Sequence, residues 1–156
     1  MTGYGVVQWS GGRVNLVEAG TIETESRHFL GQRVLTIYRS ISDILDEFEP
    51  ELLAMEALYA HYEHPRTAIV MGHARGAILL ASAEREIPVQ GYMPTRIKKA
   101  LTGNGGASKQ QVQRAVQHAL SLQSPPTPYD VSDALAAALC HSNVLSKGLK
   151  KGTSYV

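Results

Sequence analysis

Along this chain the spacing of hydrophobic and polar positions changes period several times, and each change predicts an element. Thr2 to Gln8 mixes small, aromatic and β-branched residues and predicts a strand. Ser10-Gly11-Gly12 predicts a hairpin turn, and Arg13 to Thr24 the partner strand, with Val14, Leu16, Val17 and Ile22 pointing inward. From Phe29 to Phe48 the period becomes helical: Leu30, Val34, Ile37, Ile41, Ile44, Leu45 and Phe48 form one apolar stripe, and Pro50 follows its end. Leu52 to Leu58 is a short apolar run holding a single acid, Glu56, as in a strand covered on both faces of a largely parallel sheet. Pro65 to Glu84 predicts an apolar helix, and Pro88 to Tyr92 another short strand. Pro94 opens a basic helix from Thr95 to Leu101. After the loop Thr102 to Ala107, a helix is expected from Ser108 to Leu120, and a last one starts near Asp130, beyond Pro125, Pro126 and Pro128.

A hairpin, a helix, and then strands alternating with helices predict an α/β fold, a mixed sheet flanked by helices. The length of 156 residues fits one domain, expected over 1–146, with a frayed basic tail over 147–156. No apolar stretch is long enough to span a bilayer. Met1-Thr2-Gly3-Tyr4-Gly5 has neither the basic nor the apolar segment of a secretory signal, and a cytoplasmic protein is expected. The single cysteine, Cys140, sits in an apolar helical run and is expected to be buried.

Charge changes the picture more than composition does. Residues 1–86 hold 12 Asp and Glu against 7 Arg, whereas residues 87–156 hold 8 Lys and Arg against 2 acids. A basic half of this kind either binds a polyanion such as nucleic acid or forms a solvated face balanced by the acidic half.

Asp130 and Asp133 are the only acids of the basic half, and their i, i+3 spacing puts them on one helix face. Two roles are open: an N-cap with its capping-box acid, or a pair of carboxylates presented at a helix start. Glu56 bears on the choice, because an ionised Glu in a buried strand needs a partner or a cation at the strand end. Three carboxylates beside a basic surface suit Mg²⁺ or Mn²⁺, and with two ions per site they suit phosphodiester hydrolysis. The segment Gly103 to Lys109 does not match a phosphate-loop pattern, although Lys109 at a helix start can still meet a DNA phosphate. Of the six histidines, His61 and His64 form the nearest pair but lack companion ligands for zinc, and His141 is expected in a core or surface role.

Five segments occur in order: Thr2-Gly3-Tyr4-Gly5-Val6-Val7, Ala54-Met55-Glu56-Ala57-Leu58-Tyr59, Gly72-His73-Ala74-Arg75-Gly76, Gly103-Asn104-Gly105-Gly106-Ala107-Ser108-Lys109-Gln110-Gln111-Val112 and Asp130-Val131-Ser132-Asp133-Ala134-Leu135-Ala136. From Thr2 to about His141 the series closely resembles the RuvC-type Holliday-junction resolvases, dimeric endonucleases with a ribonuclease H-like fold. The resemblance implies that Glu56, Asp130 and Asp133 are acidic metal ligands, that Lys98 and Lys109 contact the DNA backbone, and that Tyr59 stacks at the opened crossover. Packing of Tyr59 against a neighbouring helix is the alternative. Arg75 belongs to a motif of the series and is expected among the DNA contacts. Implied partners are a four-way DNA junction, a second copy of the chain and a branch-migration helicase complex.

The family also places a strand of the type Ile-Leu-Gly-Ile-Asp-Pro-Gly before Thr-Gly-Tyr-Gly. That strand is central to the sheet and supplies the first active-site Asp. The expectation is therefore that the natural chain extends upstream of Met1. The alternatives are a junction-binding, cleavage-incompetent truncated member, or an enzyme acting on RNA–DNA hybrid.

Overall fold

The computed structural model describes residues 1–58 and 65–150. Strands β1 (Thr2–Ser10) and β2 (Arg13–Ile22) form the antiparallel hairpin, closed by Gly11 and Gly12, whose φ of 58° and 81° suit glycine. Then come α1 (Leu30–Phe48), β3 (Leu53–Glu56), α2 (Pro65–Ala83), β4 (Val89–Tyr92), α3 (Pro94–Thr102), α4 (Lys109–Ala119) and α5 (Tyr129–Lys150). The helix α5 thus continues to Lys150, past the boundary expected at 147.

One mixed sheet was expected; among the described residues there are two two-stranded pieces, β1 with β2 and β3 with parallel β4. β1 and β3 both line a single cleft of about 1150 Å³, whose walls include Ile37 and Ile41 of α1 and Ala134 and Ala137 of α5.

Two apolar clusters lie on opposite faces of the strands. One joins α1 and α2 through Ile37, Ile41, Leu45, Ala77 and Ala81, with Ile22, Tyr4 and Leu53 against it. The other joins α3, α4 and α5 through Ile97, Val112, Val116, Leu135 and Cys140, with Val7, Val14, Ala19 and Ala54 against it. Strand alternation accounts for the split, since neighbours such as Leu53 and Ala54 point to opposite faces. Leu16 and Val17, expected inward, are instead exposed. The register passes from Val6↔Glu18 to Val7↔Leu16, so Val17 is an extra residue and the alternation breaks there.

Candidate active site

Glu56 is the last residue of β3. It shares the parity of Ala54, which packs in the α5 cluster, so its side chain stands on the α5 face. Its neighbour across the ladder is Tyr92 of β4, and the pairing runs one step further, Ala57 N–H donating to the Tyr92 carbonyl at 2.8 Å. From α2, Arg75 Nη1 donates to the Glu56 carbonyl oxygen at 2.7 Å, while its Nη2 lies 3.6 Å from where a Cβ on Gly91 would sit. The guanidinium of Arg75, expected among the DNA contacts, here holds the backbone of the strand that carries Glu56.

The second wall is the start of α5. Because Gly3 and Gly5 have no side chains, this helix lies directly on β1: a Cβ on Gly3 would fall 2.0 Å from the Asp130 carbonyl oxygen, and one on Gly5 2.4 Å from Leu135 Cδ2. The helix begins at Tyr129, so Asp130 sits inside the first turn rather than at the cap. Ser132, buried between the aspartates in sequence, donates to the Pro126 carbonyl at 2.8 Å and ties the helix start to the proline segment. Asp130, Asp133 and Glu56 all line the one cleft.

Lys98 of α3 and Lys109, the first residue of α4, complete the site. Lys109 Nζ lies 3.9 Å from Asp133 Oδ2 and 5.8 Å from the centre of the Tyr129 ring. Lys109 is held by a complete capping box: the Ser108 hydroxyl accepts from Gln111 N–H at 3.2 Å, and the Gln111 side chain accepts from Ser108 N–H at 2.8 Å. In the preceding loop, Asn104 N–H donates to Thr102 Oγ1, Gly106 N–H to Asn104 Oδ1 and Ala107 N–H to the Asn104 carbonyl. Those donors are spent inside the loop, which presents Lys109 rather than a row of open amides.

Glu56 is exposed at the end of β3 rather than buried in it, yet partial desolvation chiefly raises its carboxyl above the ordinary value; the charge of Asp133 raises it further, while Lys109 and Lys98 pull it down. Asp133 is likewise raised mainly by burial; Lys109 opposes the shift, Asp130 adds to it, and Lys98 opposes it again. Carboxylate oxygens are the donors that a hard cation takes. The side chains are not drawn into a tight shell: among the described residues no group of three His, Cys, Asp or Glu is arranged to hold a metal ion.

Tyr59, His61 and His64 lie outside the described residues. His141 has a structural partner, its Nδ1 lying 2.6 Å from the hydroxyl of buried Tyr92. Cys140 is buried, as expected. Sequence reasoning missed the Arg75 bond to the Glu56 carbonyl, the Tyr92–His141 bond and the steric role of Gly3. The motifs Thr2-Gly3-Tyr4-Gly5 and Gly72-His73-Ala74-Arg75-Gly76 hold two of these residues, but nothing in either motif points to the distant partner.

Comparison with known proteins gives the same picture. A family model described as crossover junction endodeoxyribonuclease RuvC matches residues 1–141. The protein of that name from Rhodopirellula baltica is 48% identical over 139 residues, covering 89% of this chain and 78% of its own. The one from Desulforamulus reducens is 42% identical over 142 residues, covering 91% and 86%. Among solved structures, RuvC of Thermus thermophilus superposes with a TM-score of 0.84 at 34% identity, covering 94% of this chain and 89% of that one. The same protein in complex with Holliday junction substrate gives 0.85 at 33% identity, covering 92% and 87%.

Proposed function

This chain belongs to the family of crossover junction endodeoxyribonucleases RuvC, and we propose that it nicks four-way DNA junctions by metal-dependent phosphodiester hydrolysis at Glu56, Asp130 and Asp133. One observation carries the reading beyond the family. Glu56 of β3 and Asp133 of α5 line one cleft, where the charge of Asp133 opposes ionisation of Glu56 and Lys98 and Lys109 act on both.

The division of labour follows from position. Glu56 and Asp133, with Asp130 beside them, offer oxygen ligands to divalent cations. Such ions, magnesium or manganese and two per site, supply charge neutralisation at the phosphate and an activated water when bound. Lys109 and Lys98 hold the DNA backbone over the carboxylates, and the capping box fixes where Lys109 begins its reach. Tyr59, three residues beyond Glu56, is the aromatic assigned to the opened crossover.

Two further parts belong to the same reading. A second copy of the chain would match the two-fold symmetry of a junction. The surface assigned to that contact is α2, which leaves Ile69 and Leu80 exposed at 61% and 55%. A further strand in the cleft between β1 and β3 would join the two sheet pieces into one mixed sheet, in the manner of the ribonuclease H-like fold. A DNA substrate and a single buried thiol fit a cytoplasmic protein.

The test is a nicking assay on a synthetic four-way junction with Mg²⁺, run on the chain alone and with the further strand added upstream. Paired nicks in strands of like polarity are expected, lost in Asp133→Asn while junction binding persists. Equal cutting of a linear duplex or of an RNA–DNA hybrid, or an active Asp133→Asn, would overturn the proposal.

A further inference from the structure

Glu56 and Asp133 sit on different elements, and something must fix the distance between them. Beside the packing of α5 on β3, a polar contact joins α5 to β4, the strand paired with β3. Tyr92, the ladder neighbour of Glu56, is 3% exposed, and its ring lies in the α5 cluster. Its hydroxyl lies 2.6 Å from Nδ1 of His141, which stands on α5 eight residues, a little over two turns, beyond Asp133. Arg96 of α3 stacks over the Tyr92 ring at 5.1 Å from its centre.

The pair is uncharged. Burial first, and then the nearby Cys140, raises Tyr92 above the usual phenol value, and Arg96 opposes them only in part. Burial lowers His141. Both groups are therefore held neutral, and the bond joins the phenol oxygen to Nδ1 of an uncharged imidazole.

We propose that Tyr92 and His141 are positioning residues for the metal site. Their hydrogen bond locks the C-terminal end of the β3–β4 pair against α5, and so sets the separation of Glu56 from Asp133. The chain of connection is short: Glu56 to Tyr92 through the ladder, Tyr92 to His141 through one hydrogen bond, and His141 to Asp133 along a rigid helix. The inference rests on the reading of Glu56 and Asp133 as metal ligands. Packing alone would hold the two elements together but would tolerate sliding; a single directional bond in a closed core does not.

Mn²⁺ binding to the full chain, followed by the loss of the free-ion electron paramagnetic resonance signal, tests this without requiring cleavage. Each variant is measured well below its own melting transition. Partners standing behind metal ligands typically cost 10–100-fold in affinity when removed, so Tyr92→Phe and His141→Leu are each expected to weaken binding by about tenfold. The double variant should be no weaker than either single one, because both remove the same bond. His141→Gln keeps a side chain able to hydrogen-bond the phenol and should recover much of the loss. If Tyr92→Phe does not fold, the difference between His141→Gln and His141→Leu decides. Parent-like Mn²⁺ affinity in Tyr92→Phe or His141→Leu, with only a lower melting temperature, overturns the inference and leaves the bond a plain core contact. Glu56→Gln separates the two levels. If it too binds Mn²⁺ like the parent, the metal-site reading has failed and the positioning role falls with it. If it alone loses binding, only the positioning role is lost.

Discussion

A Cβ on Gly3 would lie 2.0 Å from the carbonyl oxygen of Asp130, and 2.8 Å from the backbone nitrogen of Val131. Both obstacles are backbone, so a methyl group there cannot be accommodated by turning a side chain. Gly3→Ala must push the start of α5 away from β1 and take Asp130 and Asp133 with it. Overpacking of this kind costs about 1–3 kcal/mol. Chemical denaturation should show a loss of that order, and Mn²⁺ affinity should fall alongside. Gly31→Ala, where nothing lies within 4 Å, is the control and should be neutral or stabilising by up to about 1 kcal/mol. Equal behaviour of the two variants would mean that the close approach is not what places the helix.

The raised carboxyls of Glu56 and Asp133 make stability depend on pH in a defined direction. A carboxyl that holds its proton more tightly folded than unfolded favours the folded state at low pH. That advantage is lost as pH rises from the ordinary carboxylate range through the raised folded value. Without metal, Glu56→Gln should therefore melt higher than the parent near neutral pH, and the gain should vanish in acid. Divalent cation affinity should climb across the same window, because the ligands must lose their protons to bind. A melting difference that does not change with pH would show that the two groups are not coupled in this way.

Lys109 and Arg75 should part company in a salt titration of junction binding. Lys109 stands exposed at the head of α4, facing the carboxylates, whereas Arg75 is engaged with the Glu56 carbonyl. Loss of one phosphate contact lowers the slope of log affinity against log salt by about 1. Lys109→Ala should show that drop, with little change in melting temperature because its ion pair is exposed and worth at most about 1 kcal/mol. Arg75→Ala should leave the slope where it was. A drop for Arg75→Ala would return that residue to the DNA surface.

For the second copy, charge placed on α2 is the direct probe. Ile69→Asp or Leu80→Asp should yield a monomer in sedimentation while the circular dichroism spectrum of the fold is retained. Persistence of a dimer in both variants would move the contact elsewhere.

Much of the architecture was written in local pattern. The helical stripe of α1, the helix expected from Ser108 and the short strand with Glu56 each depend on neighbours a few residues apart, and each lies within a residue or two of its expected bounds. The carboxylates were legible as well, since an acid in an apolar strand and two in a basic half are conspicuous against their surroundings. What pattern could not carry were contacts between distant segments. Nothing near Gly3 announces that Asp130 will lie against it, nor near Arg75 that its partner is a carbonyl nineteen residues earlier. The bulge at Val17 misled for a related reason: one extra residue shifts the parity of a strand, so that Leu16 and Val17 turn outward while the hydrophobic pattern looks unchanged.

The brevity of β3 has an evolutionary consequence. Its four residues serve two separate cores in alternation, Leu53 facing one and Ala54 the other, and the carboxylate takes the last place in that sequence. Inserting or deleting a single residue inside the strand would turn Glu56 to the opposite side, into the packing of α1 and α2. The hairpin has already absorbed one extra residue at Val17 and kept Gly3 and Gly5 against α5. Length variation among descendants of this chain should therefore gather in the hairpin and the loops and leave β3 untouched.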